Sequence, residues 1–250
     1  MTESETDISL IFDRQLKVYT REGQEKLSKS TVLMIGCGGL GSSVSLVLSR
    51  SGVGHLVIVD CDTVSLSNIH RQILFSKEDI GRPKVEVASE NYLLQLSKVT
   101  PINIKVDETV ANNLISEYNP VCVMDCTDNF EVRYAINAAC VKHSVPFING
   151  SITGLCGQVS VFCNYEMDTS CPCYSCMHPE APESLPYPPP VTPCICTFTG
   201  TIQAQQAIAI ITGVGHVLTK ELFTIDLEKM KFRIFKIRDR NPECSVCGSK

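Results

Sequence analysis

Gly36-x-Gly38-x-x-Gly41 follows the apolar run Thr31-Val-Leu-Met-Ile35 and leads into Ser42–Ser51, which has helical period. A glycine turn between a strand and a helix lets the backbone approach a phosphate. The helix start then supplies free amides and the positive end of a dipole. Asp60 follows roughly 20 residues later, at the end of the apolar run His55-Leu-Val-Ile-Val59, where a carboxylate can accept from ribose hydroxyls. This pattern alone does not separate NAD, FAD and ATP, and on its own it favours a dehydrogenase. Arg71, Lys84 and Asp128 change the balance. Hydride transfer has no use for two cations around the phosphates. Chemistry at a phosphorus needs them, together with an acidic Mg²⁺ ligand, because it rests on positioning and charge stabilisation.

Cysteine usage points to a second centre. The chain has 14 cysteines. Cys37, Cys61, Cys122, Cys140 and Cys163 stand singly in apolar runs, where a thiol packs as a small hydrophobe. Cys173-Tyr-Ser-Cys176 and Cys244-Ser-Val-Cys247 have the spacing of zinc knuckles, and four thiolates close a tetrahedral, structural site with no open position. A redox Cys-x-x-Cys predicts one pair at a strand–helix junction rather than two pairs in loops. Cys171 is a neighbouring spare. Such a zinc would pin the proline-rich segment to the C-terminal tail.

The elements that must hold these residues alternate. Residues 8–30 read as an amphipathic helix with Leu10, Ile11, Leu16, Tyr19 and Leu27 on its apolar positions. Strands are expected at 31–35, 55–60, 101–106, 121–125, 146–148 and 158–162. Helices are expected at 42–51, 83–97, 111–118 and 129–143. Alternation of this kind predicts an α/β fold with a doubly wound, mostly parallel, Rossmann-like sheet covered on both faces. Asp60, Asp128 and the glycine turn then share the C-terminal edge of the strands, the ligand edge of such sheets. Residues 165–199 hold eight prolines and five cysteines without periodicity, and read as a crossover loop. An apolar helix is expected at 201–211, and a β-hairpin from 222–226 and 231–237 forms a C-terminal antiparallel extension. The division is a disordered tail at 1–7 and a single domain at 8–250. Within that domain lie a nucleotide-binding core at 31–163, the crossover loop at 164–199, and a C-terminal helix, hairpin and zinc knuckle at 200–250.

The 250 residues, 44% hydrophobic and 20% charged, fit a globular chain rather than a disordered or fibrous one. A net charge of −5 disfavours a nucleic-acid footprint. No unbroken apolar run reaches membrane-spanning length. The acidic start lacks the features of a signal peptide, so a reducing, cytoplasmic setting is expected.

Read together, Phe12-Asp-Arg14-Gln15, Gly36-Cys-Gly-Gly-Leu-Gly41, Asp60-x-Asp-Thr-Val-Ser-Leu-Ser-Asn68, His70-Arg71-Gln72, Gly81-x-Pro-Lys84, Asp125-Cys-Thr-Asp-Asn129 and the two Cys-x-x-Cys pairs resemble the ThiF/MoeB/HesA family, on its MoeB-like branch. The resemblance covers nearly the whole chain. It implies adenylation, with MgATP, of the C-terminal glycine of a small ubiquitin-like β-grasp protein ending in Gly-Gly, with release of pyrophosphate. By the same resemblance Gly36, Gly38, Gly39 and Gly41 would hold the phosphates and Asp60 the ribose. Ser67, Asn68, Ile69, His70 and Arg71 would line the nucleotide pocket. Arg71 and Lys84 would stabilise phosphate charge, Asp128 would hold Mg²⁺, and Asn129 would lie beside the nucleotide. Family members are homodimers, so Arg14 would reach into the partner subunit's site. Cys194 would stand where some members form a thioester or acyl disulfide with the carrier; packing, or a plain loop thiol, is the alternative for Cys194 and Cys196. The resemblance implies molybdopterin, thiamine or tRNA thiolation as the setting. The chain ends at Lys250 without a rhodanese domain, so a separate sulfurtransferase is expected. The alternatives are adenylation of a small-molecule or tRNA-base carboxylate, a non-catalytic scaffold for a ubiquitin-like protein, and last an NAD dehydrogenase.

Overall fold

The computed structural model describes residues 10–180 and 189–248, except for the side chain of Tyr92. The elements are α1 (Asp13–Lys29), β1 (Thr31–Ile35), α2 (Gly39–Arg50), β2 (His55–Val59), α3 (Lys84–Glu90), β3 (Lys98–Ile102), α4 (Glu108–Tyr118), β4 (Cys122–Asp125), α5 (Phe130–His143), β5 (Phe147–Thr153), β6 (Cys156–Phe162), α6 (Tyr174–Met177), α7 (Pro193–Thr212), β7 (Glu221–Asp226) and β8 (Lys231–Lys236). The tail expected at 1–7 and residues 181–188 of the expected crossover loop lie outside the described residues.

Eight strands form one sheet in the order β3-β2-β1-β4-β5-β6-β7-β8. The pairs from β3 to β5 are parallel, and those from β5 to β8 are antiparallel. Parallel strands are covered on both faces and therefore read as continuous aliphatic runs. Alternate side chains go to opposite sides. Val32, Met34, Leu56 and Ile58 join Leu40, Val44 and Leu48 of α2 and Ala204, Ala207 and Ile208 of α7 in one buried layer. Leu33, Ile35, Val57 and Val59 join Leu114 and Ile115 of α4 and Ile136 and Ala139 of α5 in the other. Each of the Val, Leu, Ile and Met side chains contributes about 1.5–3 kcal/mol on burial, so the two layers set the register of the strand ends. Ile35 lies level with Val59 on one side and Asp125 on the other, and Asp125 lies level with Asn149. The chain winds outward from β1 in both directions, so the crevice between the ends of β1 and β4 is the topological switch point where such sheets bind ligands.

Several boundaries differ from expectation. β3 begins at Lys98, three residues before the expected start, because pairing of His55 with Lys98 sets its register. Pro101 is tolerated there because β3 is an edge strand. The helix expected at 83–97 stops at Glu90, and a 3₁₀ turn follows at Tyr92–Leu94. The first helix is kinked at Thr20, which has φ 62°.

The largest correction concerns the crossover loop. The helix expected from Thr201 starts at Pro193, so Cys194 and Cys196 are helical rather than in a loop. Proline is a good first helical residue, since its fixed φ suits the helix and its missing N–H is not needed there. Gly200, just before the expected start, lies within the helix. A Cβ there would lie 2.9 Å from the Leu40 carbonyl oxygen and from Ser43 Cβ, so the glycine allows α7 to pack closely on α2. Among the described residues α7 alone has the length and apolar composition to cross a bilayer, and 56% of that stretch is buried inside the fold. Gln203, Gln205 and Gln206 interrupt its apolar run in the sequence.

Candidate functional site

The glycine turn is built by close contact between two strand-end loops. Gly36 has φ +95°, and a Cβ there would stand 2.6 Å from the Cys126 carbonyl oxygen. A Cβ on Gly41 would stand 2.2 Å from the Gly36 carbonyl oxygen. Neither position admits a side chain, so the turn folds tightly and delivers α2 with Gly38 at its N-cap. The first intrahelical bond runs from the Ser42 N–H to the Gly38 carbonyl. The amides of Gly39, Leu40 and Gly41 therefore have no intrahelical acceptor, and they mark the positive end of the helix.

Asp60 fastens this turn to the end of β2. One carboxylate oxygen accepts from the Cys37 amide at 2.6 Å, and the other from the Asp62 amide at 2.8 Å. Its expected ribose role would use the lone pairs that remain. Lys84 is 4% exposed and opens α3; its Nζ pairs with Asp62 Oδ2 at 2.8 Å. Burial pushes the Cys37 thiol far above its ordinary range; Asp60 adds to this and Lys84 opposes it, so both charges act on the glycine turn.

The 3₁₀ turn Leu66–Asn68 carries the next group. Arg71 Nη1 donates to the Ser67 carbonyl at 2.9 Å and lies 2.9 Å from His70 Nε2. Ser67 and His70 are exposed, Asn68 is half-buried, and Ile69 packs on the α2/α7 layer. The turn lies over the start of α2. The Arg71 carbonyl oxygen lies 3.6 Å from where a Cβ on Gly39 would be, and Gln72 Nε2 lies 3.6 Å from the corresponding point on Gly38.

On the β4 side, Asp128 is exposed and makes no hydrogen bond or ion pair among the described residues. Asn129 caps α5 by accepting from the Val132 amide at 3.1 Å. The loop that carries them is held from below by Asp125, which is fully buried. Asp125 accepts from Arg133 Nε at 2.6 Å, Asn149 Nδ2 at 2.7 Å, Thr127 Oγ1 at 2.6 Å and the Thr127 amide at 3.0 Å. Arg133 Nη2 then donates to the Thr127 carbonyl at 3.0 Å, and Gln203 Nε2 to the Asp125 carbonyl at 2.8 Å. Burial alone would lower the Arg133 pKa; the Asp125 carboxylate reverses this and keeps the guanidinium charged. Arg133, Asn149 and Gln203 were not singled out from the sequence. The available signal was an aspartate ending a wholly buried strand, which requires partners.

Arg14 lies exposed near the start of α1, with no ion pair or hydrogen bond among the described residues. Cys194 is exposed and borders a shallow groove of about 490 Å³ with Pro193, Thr197, Phe198, Thr201 and Ile202. Cys196 is buried and faces the glycine turn: a Cβ on Gly39 would lie 2.7 Å from its sulfur. Burial raises its pKa to about 11, although nearby Arg71 acts to lower it.

The four expected zinc ligands converge. The sulfurs of Cys173, Cys176, Cys244 and Cys247 lie within 4.8 Å of one another. Those of Cys173 are 3.8 Å from Cys176 and 3.7 Å from Cys244, and Cys176 and Cys247 are 3.3 Å apart. A tetrahedron with Zn–S of about 2.3 Å needs sulfurs about 3.8 Å apart, so the donor set and its spacing fit the ion. Despite its partial burial, amides of Cys247 and Val246 bring the Cys244 thiol down to about 7. Cys171 points elsewhere, towards the Val161 and Pro172 carbonyls.

A profile of the ThiF family matches residues 12–246. Among curated proteins, the molybdopterin-synthase adenylyltransferase of Escherichia coli is 36% identical over 255 residues, covering 99% of this chain and 100% of the relative. The adenylyltransferase and sulfurtransferase MOCS3 of Caenorhabditis briggsae is 36% identical over 251 residues, and the match takes in 96% of this chain but only 60% of that protein. The sulfur carrier protein adenylyltransferase of Thermus thermophilus is 34% identical over 241 residues, covering 92% of this chain and 86% of the relative. Among solved structures, E. coli MccB with ATP superposes with a TM-score of 0.80 at 23% identity, covering 95% of this chain and 73% of that one. At that identity the likeness is one of fold.

Proposed function

The chain belongs to the ThiF family, and on that premise we propose that it adenylates the C-terminal glycine carboxylate of a small ubiquitin-like sulfur-carrier protein. The observation that carries the reading is the meeting, on one sheet edge, of the bare amides at the start of α2, the Arg71 turn over Gly38 and Gly39, buried Lys84, and Asp128, which has no partner among the described residues.

The reaction needs no general base, because a C-terminal carboxylate is already ionised near neutrality. It attacks the α-phosphorus of ATP in line; the P–O bond to the leaving pyrophosphate breaks and an acyl adenylate remains. The start of α2 and Arg71 and Lys84 would meet the negative charge that develops. Asp60 orders the turn through the Cys37 amide and leaves lone pairs for the ribose. Ser67, Asn68, Ile69, His70 and Asn129 would complete the pocket. Asp128, exposed and without a hydrogen bond or ion pair among the described residues, would hold Mg²⁺, which would offset phosphate charge. Arg14, exposed on α1, would act in a partner subunit's site within a homodimer. Zn²⁺ would bind Cys173, Cys176, Cys244 and Cys247 structurally. Cys194 is accessible for a thioester or acyl disulfide, with sulfur from a separate sulfurtransferase. Molybdenum cofactor synthesis is the setting that the relatives' names favour. The single domain at 8–250 and a cytoplasmic setting belong to the same reading.

ATP–pyrophosphate exchange with candidate carriers ending in Gly-Gly tests it. Carrier-dependent exchange that falls in Arg71→Ala and Asp128→Ala is expected. ATP binding with no exchange for any carrier would favour a scaffold, and exchange driven by a small carboxylate alone would favour the small-molecule alternative.

A further inference from the structure

We propose that Gln72 contacts the nucleotide, its carboxamide hydrogen-bonding a phosphate oxygen seated beside Gly38 at the start of α2. Gln72 is 4% exposed. Its Oε1 is fully buried and has no hydrogen-bond partner, and its Nε2 makes no hydrogen bond among the described residues. A buried carbonyl oxygen without a partner is costly, and most such groups in folded proteins have one; Nε2, by contrast, is not among the fully buried unpartnered atoms and is left free to donate. The backbone of Gln72 is fully engaged: its N–H donates to the Asn68 carbonyl at 3.0 Å, and its carbonyl accepts from the Phe75 amide at 3.1 Å. The main chain therefore fixes where the residue stands, and only the side chain is left to act.

It stands against the phosphate cradle. Nε2 is 3.6 Å from where a Cβ on Gly38 would lie, and among the described residues no other atom from outside the turn and its helix comes within 4 Å of that point. Packing therefore leaves room beside Gly38, unlike at Gly36 and Gly41, where a Cβ would strike the backbone. A neutral N–H donor aimed there suits a phosphate oxygen, adding to the α2 amides without a further charge. Nothing in the expected chemistry assigned Gln72 a role, although it belongs to the His70-Arg71-Gln72 run.

This inference rests on the reading that a nucleotide occupies the glycine turn. Its test is titration of the full chain with MgATP and with adenosine, for wild type, Gln72→Met and Gln72→Glu. A hydrogen bond to a charged group is worth roughly a 10- to 100-fold change in Kd. Gln72→Met should weaken ATP by about that factor and leave adenosine, which has no phosphate, unchanged. Gln72→Glu keeps the shape and sets a carboxylate against the phosphates, so it should weaken ATP further; it carries the test alone if Gln72→Met does not fold. Unchanged ATP affinity in both variants, or equal losses for ATP and adenosine, overturns the inference in favour of plain packing. If wild type binds no ATP, the adenylation reading fails and takes this inference with it; if it binds ATP and both variants match it, only the inference fails.

Discussion

The buried pair Asp125–Arg133 offers a sharp test of how the site is held. Asp125 is 0% and Arg133 3% exposed, and they meet at 2.6 Å. Arg133→Leu leaves a buried carboxylate with only Asn149 and Thr127 as partners. Removing one member of such a pair costs about 3–5 kcal/mol. In a domain of this size, each kcal/mol shifts Tm by roughly 2–4 °C, so the variant should melt about 6–20 °C lower. The double variant Arg133→Leu/Asp125→Leu removes both charges and should recover part of that loss, because the cost lies in the orphaned carboxylate rather than in the missing bridge. Urea unfolding of wild type, both single variants and the double variant closes the cycle. Arg133 also holds the Thr127 carbonyl, so exchange activity should fall more than stability alone explains, by about 10²-fold for a misplaced Asp128. A loss below about 1 kcal/mol in Arg133→Leu, or a double variant less stable than the sum of the single ones, would refute the account.

Other outcomes follow from the same geometry. Arg71→Ala should slow carrier-dependent pyrophosphate exchange by roughly 10²–10³, the loss expected for one donor at a developing charge. Gly36→Ala should destabilise by at least about 1–3 kcal/mol, measured by thermal melting, because it forces an L-residue to positive φ against the Cys126 carbonyl. Metal analysis should return about one zinc per chain, and Cys244→Ser should lower Tm while ATP still binds below the transition. Brief alkylation of the folded protein, read by mass spectrometry, should label exposed Cys194 ahead of buried Cys196, whose thiol is held near a pKa of about 11.

Much of this was legible in the residue order, because it depends on neighbours a few positions apart. The aliphatic runs of β1, β2 and β4 announced buried parallel strands, Gly36-x-Gly38-x-x-Gly41 announced the turn, and the two Cys-x-x-Cys pairs announced a four-thiolate cluster that the fold does assemble. The start of α7 was misread because Pro193 stands among loop prolines in the sequence, while in the fold it is a first helical residue.

Other features depend on contacts between distant segments, and these no local pattern encodes. Asp125 looks like any strand-end acid until β5 and α5 bring Asn149 and Arg133 to it. Cys194 and Cys196 are near neighbours in the chain, yet one is open and the other lies against Gly39, because packing of α7 on α2 turns one side of the helix inward. Gln72 Nε2 stands beside Gly38, without a side-chain partner among the described residues, only because the chain after β2 folds back over the start of α2. Period and motif are properties of short stretches. Burial, and whether a polar group finds a partner, are settled only when the whole chain has closed around it.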